Sequence, residues 1–133
     1  MLTRVNKNNT LVQNILKLKG VPFTTEENTK LSLIFKELEL SDLNTIIHYI
    51  DERYPIPQVI SGDVENRARI REICSLLLQD PSHCDQLAST ANPFVFGPAI
   101  TLVDLIVFEH TSNTPFKQRI HKILGAVDPE GWE

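Results

Sequence analysis

Among the side chains that could hold a metal or attack an electrophile are four histidines, His48, His83, His110 and His121, and two cysteines, Cys74 and Cys84. A zinc site needs three or four such ligands at short, repeated spacings. His48 with Asp51, or Glu109 beside His110, supplies two and lacks a third, so these residues are expected at the surface. Nine residues separate the cysteines, too many for a C-x-x-C redox or zinc pair, and Cys74 falls on an apolar helix face. Both are expected to be buried, unreactive thiols. Ser, His and Asp all occur, but no G-x-S-x-G stretch sets up a nucleophile. No metal and no cofactor are expected.

The 133 residues are enough for one core, or a core with a satellite, with 41% hydrophobic and 23% charged residues, the balance of a folded chain. A net charge of −4 argues against direct nucleic-acid binding, which needs clustered Lys and Arg. The longest apolar stretches, such as 102–108, fall far short of the ~20 residues that span a bilayer. "MLTRVNKNNT" lacks the apolar run of a secretory signal, so a cytoplasmic location and reduced cysteines are expected.

The patterns that must position these side chains change in texture at mid-chain. "MLTRV" reads as a strand and "NKNNT" as a turn in which Thr10 is placed to cap a helix. Leu11, Val12, Ile15, Leu16 and Leu18 make one helical face, with Gly20 where a left-handed C-cap is wanted. "VPFTTE" is a second strand. Leu31, Leu33 and Phe35, then Leu38 and Leu40, predict a hairpin turning at Lys36-Glu37. Ser41 or Asp42 caps a helix that carries Leu43, Ile46, Ile47 and Ile50 and ends near Arg53, before Pro55. The second half is all helical: 64–79 with apolar positions at Ala68, Ile70, Ile73, Leu76 and Leu77, then 102–109, then 116–124 ending at Gly125. The charge run "ENRARIRE" is expected to be a solvated helix face.

A β-α-β-β-β-α half joined through prolines to a helical half resembles the glutathione S-transferase superfamily. The segment "GPAITLVDLIVF" looks like the N-capping box and hydrophobic staple of the helix that runs through that superfamily's C-terminal domain, with Thr101 and Asp104 as the box and Ile100 and Leu105 as the staple. The stretch "LELSDLNTIIHYIDERYPIPQV" is similar to one branch, the stringent starvation protein A group; "LVQNILKLKGVPFTTEE" and "ENRARIREICSLL" look like further pieces of it. The resemblance implies an α+β fold with a reduced thioredoxin-like lobe at 1–55, a linker at 56–63 and an all-helical lobe at 64–133.

For function it implies a bacterial regulator associated with RNA polymerase, binding that enzyme or its sigma factor, and a homo- or heterodimer. The group's Pro-His-Pro element matches Pro55, Ile56 and Pro57, with isoleucine replacing the histidine. The expected partner-binding residues are Tyr54, Pro55, Ile56 and Pro57, flanked by Arg53 and Asp51. The alternative is that Tyr54 and Ile56 pack between the lobes. Glutathione transferases also use a hydroxyl or thiol just after the first strand, a cis-proline and an acid-serine pair. Here the first offers Thr10 alone, and the last reads Asp42-Leu43. Only seventeen residues lie between Phe23 and Ser41, so the second helix and its proline are missing. From this the chain is expected not to be an enzyme. Two other functions remain open, a small-molecule or thiol binder with a reduced pocket and an assembly module of a multi-protein complex.

Overall fold

The computed structural model describes residues 3–7, 9–27 and 32–126; Leu31 of the hairpin pattern and the tail from Val127 lie outside them. The fold is α+β, a four-stranded mixed sheet with helices followed by an all-helical part. Among the described residues two compact units are present, one running to Pro57 and joined by 124–126, the other covering 58–123. The division falls between Pro57 and Gln58, within the stretch expected as a linker, but Val59 and Ile60 of that stretch are buried.

The first unit is built on strand order β2-β1-β3-β4. Strand β1 (Thr3–Asn6) pairs in parallel with β2 (Phe23–Glu26), Thr3 opposite Phe23, and antiparallel with β3 (Leu33–Phe35), Val5 opposite Leu33. As the parallel pair requires, a helix makes the crossover. That helix is α1 (Thr10–Leu18), burying Leu11, Val12, Ile15, Leu16 and Leu18. Its cap is Asn9, not Thr10: Asn9 Oδ1 accepts from the Val12 amide at 2.9 Å, and Thr10 is the first helical residue. At the other end Gly20 takes φ +72, its amide bonding Lys17 O and the Val21 amide bonding Leu16 O, the paired bonds of a Schellman motif.

Strands β3 and β4 (Leu38–Leu40) form the expected hairpin, with Phe35 opposite Leu38 across the two-residue turn Lys36-Glu37. Lys36 adopts φ +56, and its ammonium lies 5.4 Å from the Phe35 ring centre. Among the described residues between β2 and β3 there is no helix. Asp42 then caps α2 (Leu43–Arg53), accepting from the Thr45 amide at 2.9 Å and the Thr45 hydroxyl at 2.8 Å. Ile46, Ile47 and Ile50 of α2 are buried.

In the second unit, Asp63 caps α3 (Val64–Gln79) through the Asn66 amide at 2.7 Å. Ile70, Cys74 and Leu77 are its buried residues, a stripe at i, i+4 and i+7, whereas Leu76, expected on that face, is 59% exposed. A 3₁₀ turn (Pro81–His83) leads into α4 (Cys84–Thr90), a helix the sequence pattern did not announce. Helix α5 (Leu102–His110) is buried continuously from Leu102 to Val107, as a helix surrounded by others must be. Its first amide donates to Val59 O at 2.8 Å. Helix α6 (Thr114–Ala126) begins two residues before Phe116 and runs through Gly125 instead of stopping there. Asn113 caps it by accepting from the Phe116 amide at 3.0 Å.

Candidate functional site

Helix α2 closes on Tyr54, whose amide reaches Ile50 O at 2.9 Å, because the proline that follows disfavours helix at that residue. The bend beyond it is held from α1. Lys19 Nζ donates to Asp51 Oδ1 at 2.8 Å, to Tyr54 O at 2.6 Å and to Pro57 O at 2.6 Å. An ammonium has three protons, and three acceptors meet them. The Lys19 side chain is 0% exposed and that of Asp51 10%.

Asp51, expected as a charge flanking the binding surface, is therefore turned into the unit, a correction that follows from the ion pair with Lys19. The other predicted residues are placed differently. Ile56 is 83% exposed at the outside of the bend, Pro55, Pro57 and Arg53 are exposed, and Tyr54 is half-buried with the Arg53 guanidinium 5.2 Å from its ring centre. The Ile56–Pro57 peptide is cis. Lys19 was missed by sequence reading, since nothing local to it marks a partner 32 positions away.

A second constellation lies where β1 passes into α1. Asn6 is buried, and Gln13 Nε2 donates to both Asn6 O, at 3.1 Å, and Lys7 O, at 2.9 Å. The Lys7 amide reaches Glu26 O at 2.8 Å, and the Asn9 amide reaches Asn6 O at 3.2 Å. These bonds fix the loop that presents Thr10, which is exposed at the first position of α1. There the aligned peptide dipoles favour a nearby negative charge.

In the second unit Asp104 is 0% exposed. Its carboxylate accepts from the Thr101 amide at 2.8 Å, from the Val95 amide at 2.9 Å and more loosely from the Thr101 hydroxyl at 3.4 Å, so the capping box also fastens the loop before α5. Burial pushes the Asp104 carboxyl above its ordinary range, against the pull of the Val95 and Thr101 bonds. Burial likewise pushes the Cys74 thiol up to about 12, with the Asp104 charge adding to it, and raises Cys84, with Asp85 adding there. Only thiolates are nucleophilic. Both cysteines are thus expected to resist a thiol-specific disulfide reagent near pH 8 and to react fully once guanidinium unfolds the chain. Rapid labelling of Cys74 in the native protein would contradict its placement. Among the described residues no three His, Cys, Asp or Glu side chains are grouped to hold a metal. No described helix is long and apolar enough to cross a membrane.

No protein-family model matches the chain, and no curated protein does. Solved structures do. A glutathione transferase homolog from Burkholderia GL BGR1, with bound glutathione, superposes with a TM-score of 0.69 at 19% identity, covering 95% of this chain and 92% of that one. A maleylacetoacetate isomerase from Anaeromyxobacter dehalogenans 2CP-1, with bound GSH in the active site, gives 0.65 at 15% identity, covering 98% and 96%. The theta class glutathione S-transferase of the citrus canker pathogen Xanthomonas axonopodis pv. citri gives 0.59 at 14%, covering 91% and 90%. The fold is that of the glutathione transferases, a thioredoxin-like sheet unit followed by a helical unit.

The expectation that the chain is not an enzyme is corrected by these likenesses. It rested on Thr10 as the lone hydroxyl after β1, on the lost serine at Asp42-Leu43 and on the shortened connection between β2 and β3, yet the three structures named above, which share this fold along nearly their whole length, are described as a transferase homolog, an isomerase and a transferase, two of them holding glutathione.

Proposed function

We propose that the chain binds glutathione or a related small thiol in its first unit, at the junction of β1 and α1, and performs a transferase-type reaction on the sulfur. The observation that carries this reading is the fold likeness to structures with glutathione bound, over 95% and 98% of this chain. The local chemistry supports it. A thiol becomes a nucleophile when its thiolate is favoured, and the exposed start of α1 offers a dipole of the right sign. Thr10 is the hydroxyl donor to the sulfur. Exposed Asp42, at the start of α2, stands where the fold's acid-serine pair is expected and offers a carboxylate to the ammonium of the tripeptide. In the reaction the thiol proton leaves to solvent, the sulfur forms a bond to an electrophilic carbon, and the leaving group departs with its electron pair.

Conjugation of glutathione to an electrophilic aryl chloride tests this. The protein should accelerate it, and Thr10→Val should lower the rate by on the order of 100-fold, the usual cost of removing one donor aimed at a developing charge. A rate equal to that without protein would sink the proposal.

A second reading is favoured by a separate observation, the 83% exposure of Ile56 on a bend that Lys19 fastens from inside. In this reading Arg53, Tyr54, Pro55, Ile56 and Pro57 form a contact surface for a protein of the bacterial transcription machinery, RNA polymerase or its sigma factor. An exposed apolar side chain on a preformed turn is a suitable anchor for a partner's hollow.

A further inference from the structure

We propose that Arg67 and Arg71, one turn apart on α3, form a site for a phosphate group; the site lies in the second unit and rests on neither reading above. The charge run "ENRARIRE" reads as a solvated helix face, and Arg67 departs from that. It is half-buried, in line with the buried stripe that α3 continues through Ile70, Cys74 and Leu77. Its Nε is buried and, among the described residues, is the one buried side-chain nitrogen or oxygen without a hydrogen-bond partner. Burying a charged donor with nothing to accept from it is unfavourable, because the water it leaves is not replaced. No described carboxylate makes an ion pair with this guanidinium; Asp63, one turn before it, turns Oδ1 to the Asn66 amide at 2.7 Å.

Arg71 adds a second charge to the same flank. Residues four apart on a helix are neighbours, about 5–6 Å between Cβ atoms, and like charges there repel. Arg71 is exposed and has no ion pair with a described carboxylate. One anion therefore relieves both the repulsion and the orphaned N–H. A carboxylate presents a single edge of two oxygens, which one guanidinium fork occupies. A phosphate group has oxygens on several sides: two accept from the Nε–H and an Nη–H of Arg67, and a third is left for Arg71. Exposed Arg71 draws the anion in from solvent, and the long side chain of half-buried Arg67 turns its Nε–H out to meet it. The ligand class is a free phosphate ion or a phosphomonoester.

The test is urea unfolding of the full chain in potassium chloride and in inorganic phosphate, at equal ionic strength near pH 7, for wild type, Arg67→Met and Arg71→Gln. The Arg67 Nε–H is followed in parallel by ¹H–¹⁵N NMR. In chloride Arg67→Met should unfold at a midpoint no lower than that of wild type, because it keeps the apolar stem and removes the orphaned donor. Phosphate should raise the wild-type midpoint and leave that of Arg67→Met in place. It should also shift the Nε–H resonance saturably, with a dissociation constant of about 1 mM. Arg71→Gln, a change at an exposed position, should weaken that binding about tenfold. Methyl phosphate separates the two sources: binding as tight as that of inorganic phosphate assigns an end group of a larger ligand, and binding weaker by about tenfold assigns the free ion. Acetate should leave the resonance where chloride does. An equal shift with acetate overturns the phosphate assignment, and no shift with phosphate up to about 50 mM overturns the site. An Arg67→Met chain less stable than wild type in chloride, or unfolded there, contradicts the orphaned donor.

Discussion

Replacing Lys19 by alanine is expected to destabilise the first unit by about 3–5 kcal/mol, the range for breaking a buried ion pair by deleting one partner. The side chains involved are 0% and 10% exposed, so solvent screens little of the interaction, and the carbonyls of Tyr54 and Pro57 lose the same donor. Loss of one partner is worse than loss of both. Lys19→Met combined with Asp51→Leu should recover most of the deficit, because no buried carboxylate then remains without its cation and the two carbonyls can turn to water. Urea unfolding followed by far-ultraviolet circular dichroism measures both variants. A single Lys19→Ala change costing under about 0.5 kcal/mol, the level of an exposed pair, would show that the pair is solvated.

The second large effect is at Asp104. Asparagine has one acceptor oxygen where the carboxylate has two, and Asp104 uses Oδ1 for the Val95 amide and Oδ2 for the Thr101 amide. Asp104→Asn therefore sets an amide group against a buried N–H, and the cost should be about 2–4 kcal/mol, the sum of a lost cap and an unsatisfied donor. The pH dependence has a definite sign. Burial raises the folded carboxyl above its unfolded value of 3.8, so the folded state holds the proton more tightly. The corresponding stability is full below that unfolded value and is lost as pH rises through the folded value. Asp42, Asp80 and Asp85 run the other way: their carboxyls are lowered by bonds from Thr45, from Ser82 and from Thr111 and Ser112, so their contributions are lost as pH falls through the folded values. The difference between wild type and Asp104→Asn should thus grow in favour of wild type on acidification from pH 7. A difference that shrinks on acidification contradicts a raised carboxyl at Asp104.

Much of the framework was readable because its signals are local. Gly20 in the left-handed region, Asp42 as a cap and the turn at Lys36-Glu37 each depend on residues a few positions apart. Helix α4 was not readable: it has seven residues, follows a proline turn and buries only Cys84 and Ala88, too little for a period to emerge. Exposed Leu76 shows the opposite failure, an apolar residue one step off the buried stripe of α3. Of the candidate surfaces, the prolines and Ile56 stood out in the sequence, but Asp51 read as an outward charge because its partner, Lys19, caps the end of another helix. The short connection between β2 and β3 was legible and misleading. It suggested the loss of activity, although the rest of the chain retains the fold of structures that hold glutathione.

The most direct measurement of the proposed function is isothermal titration of the full chain with glutathione. Saturable heat with a dissociation constant of about 1 mM or tighter, lost in Thr10→Val, is the predicted result. Heats no larger than dilution throughout that range would contradict the assignment of a thiol site to this fold.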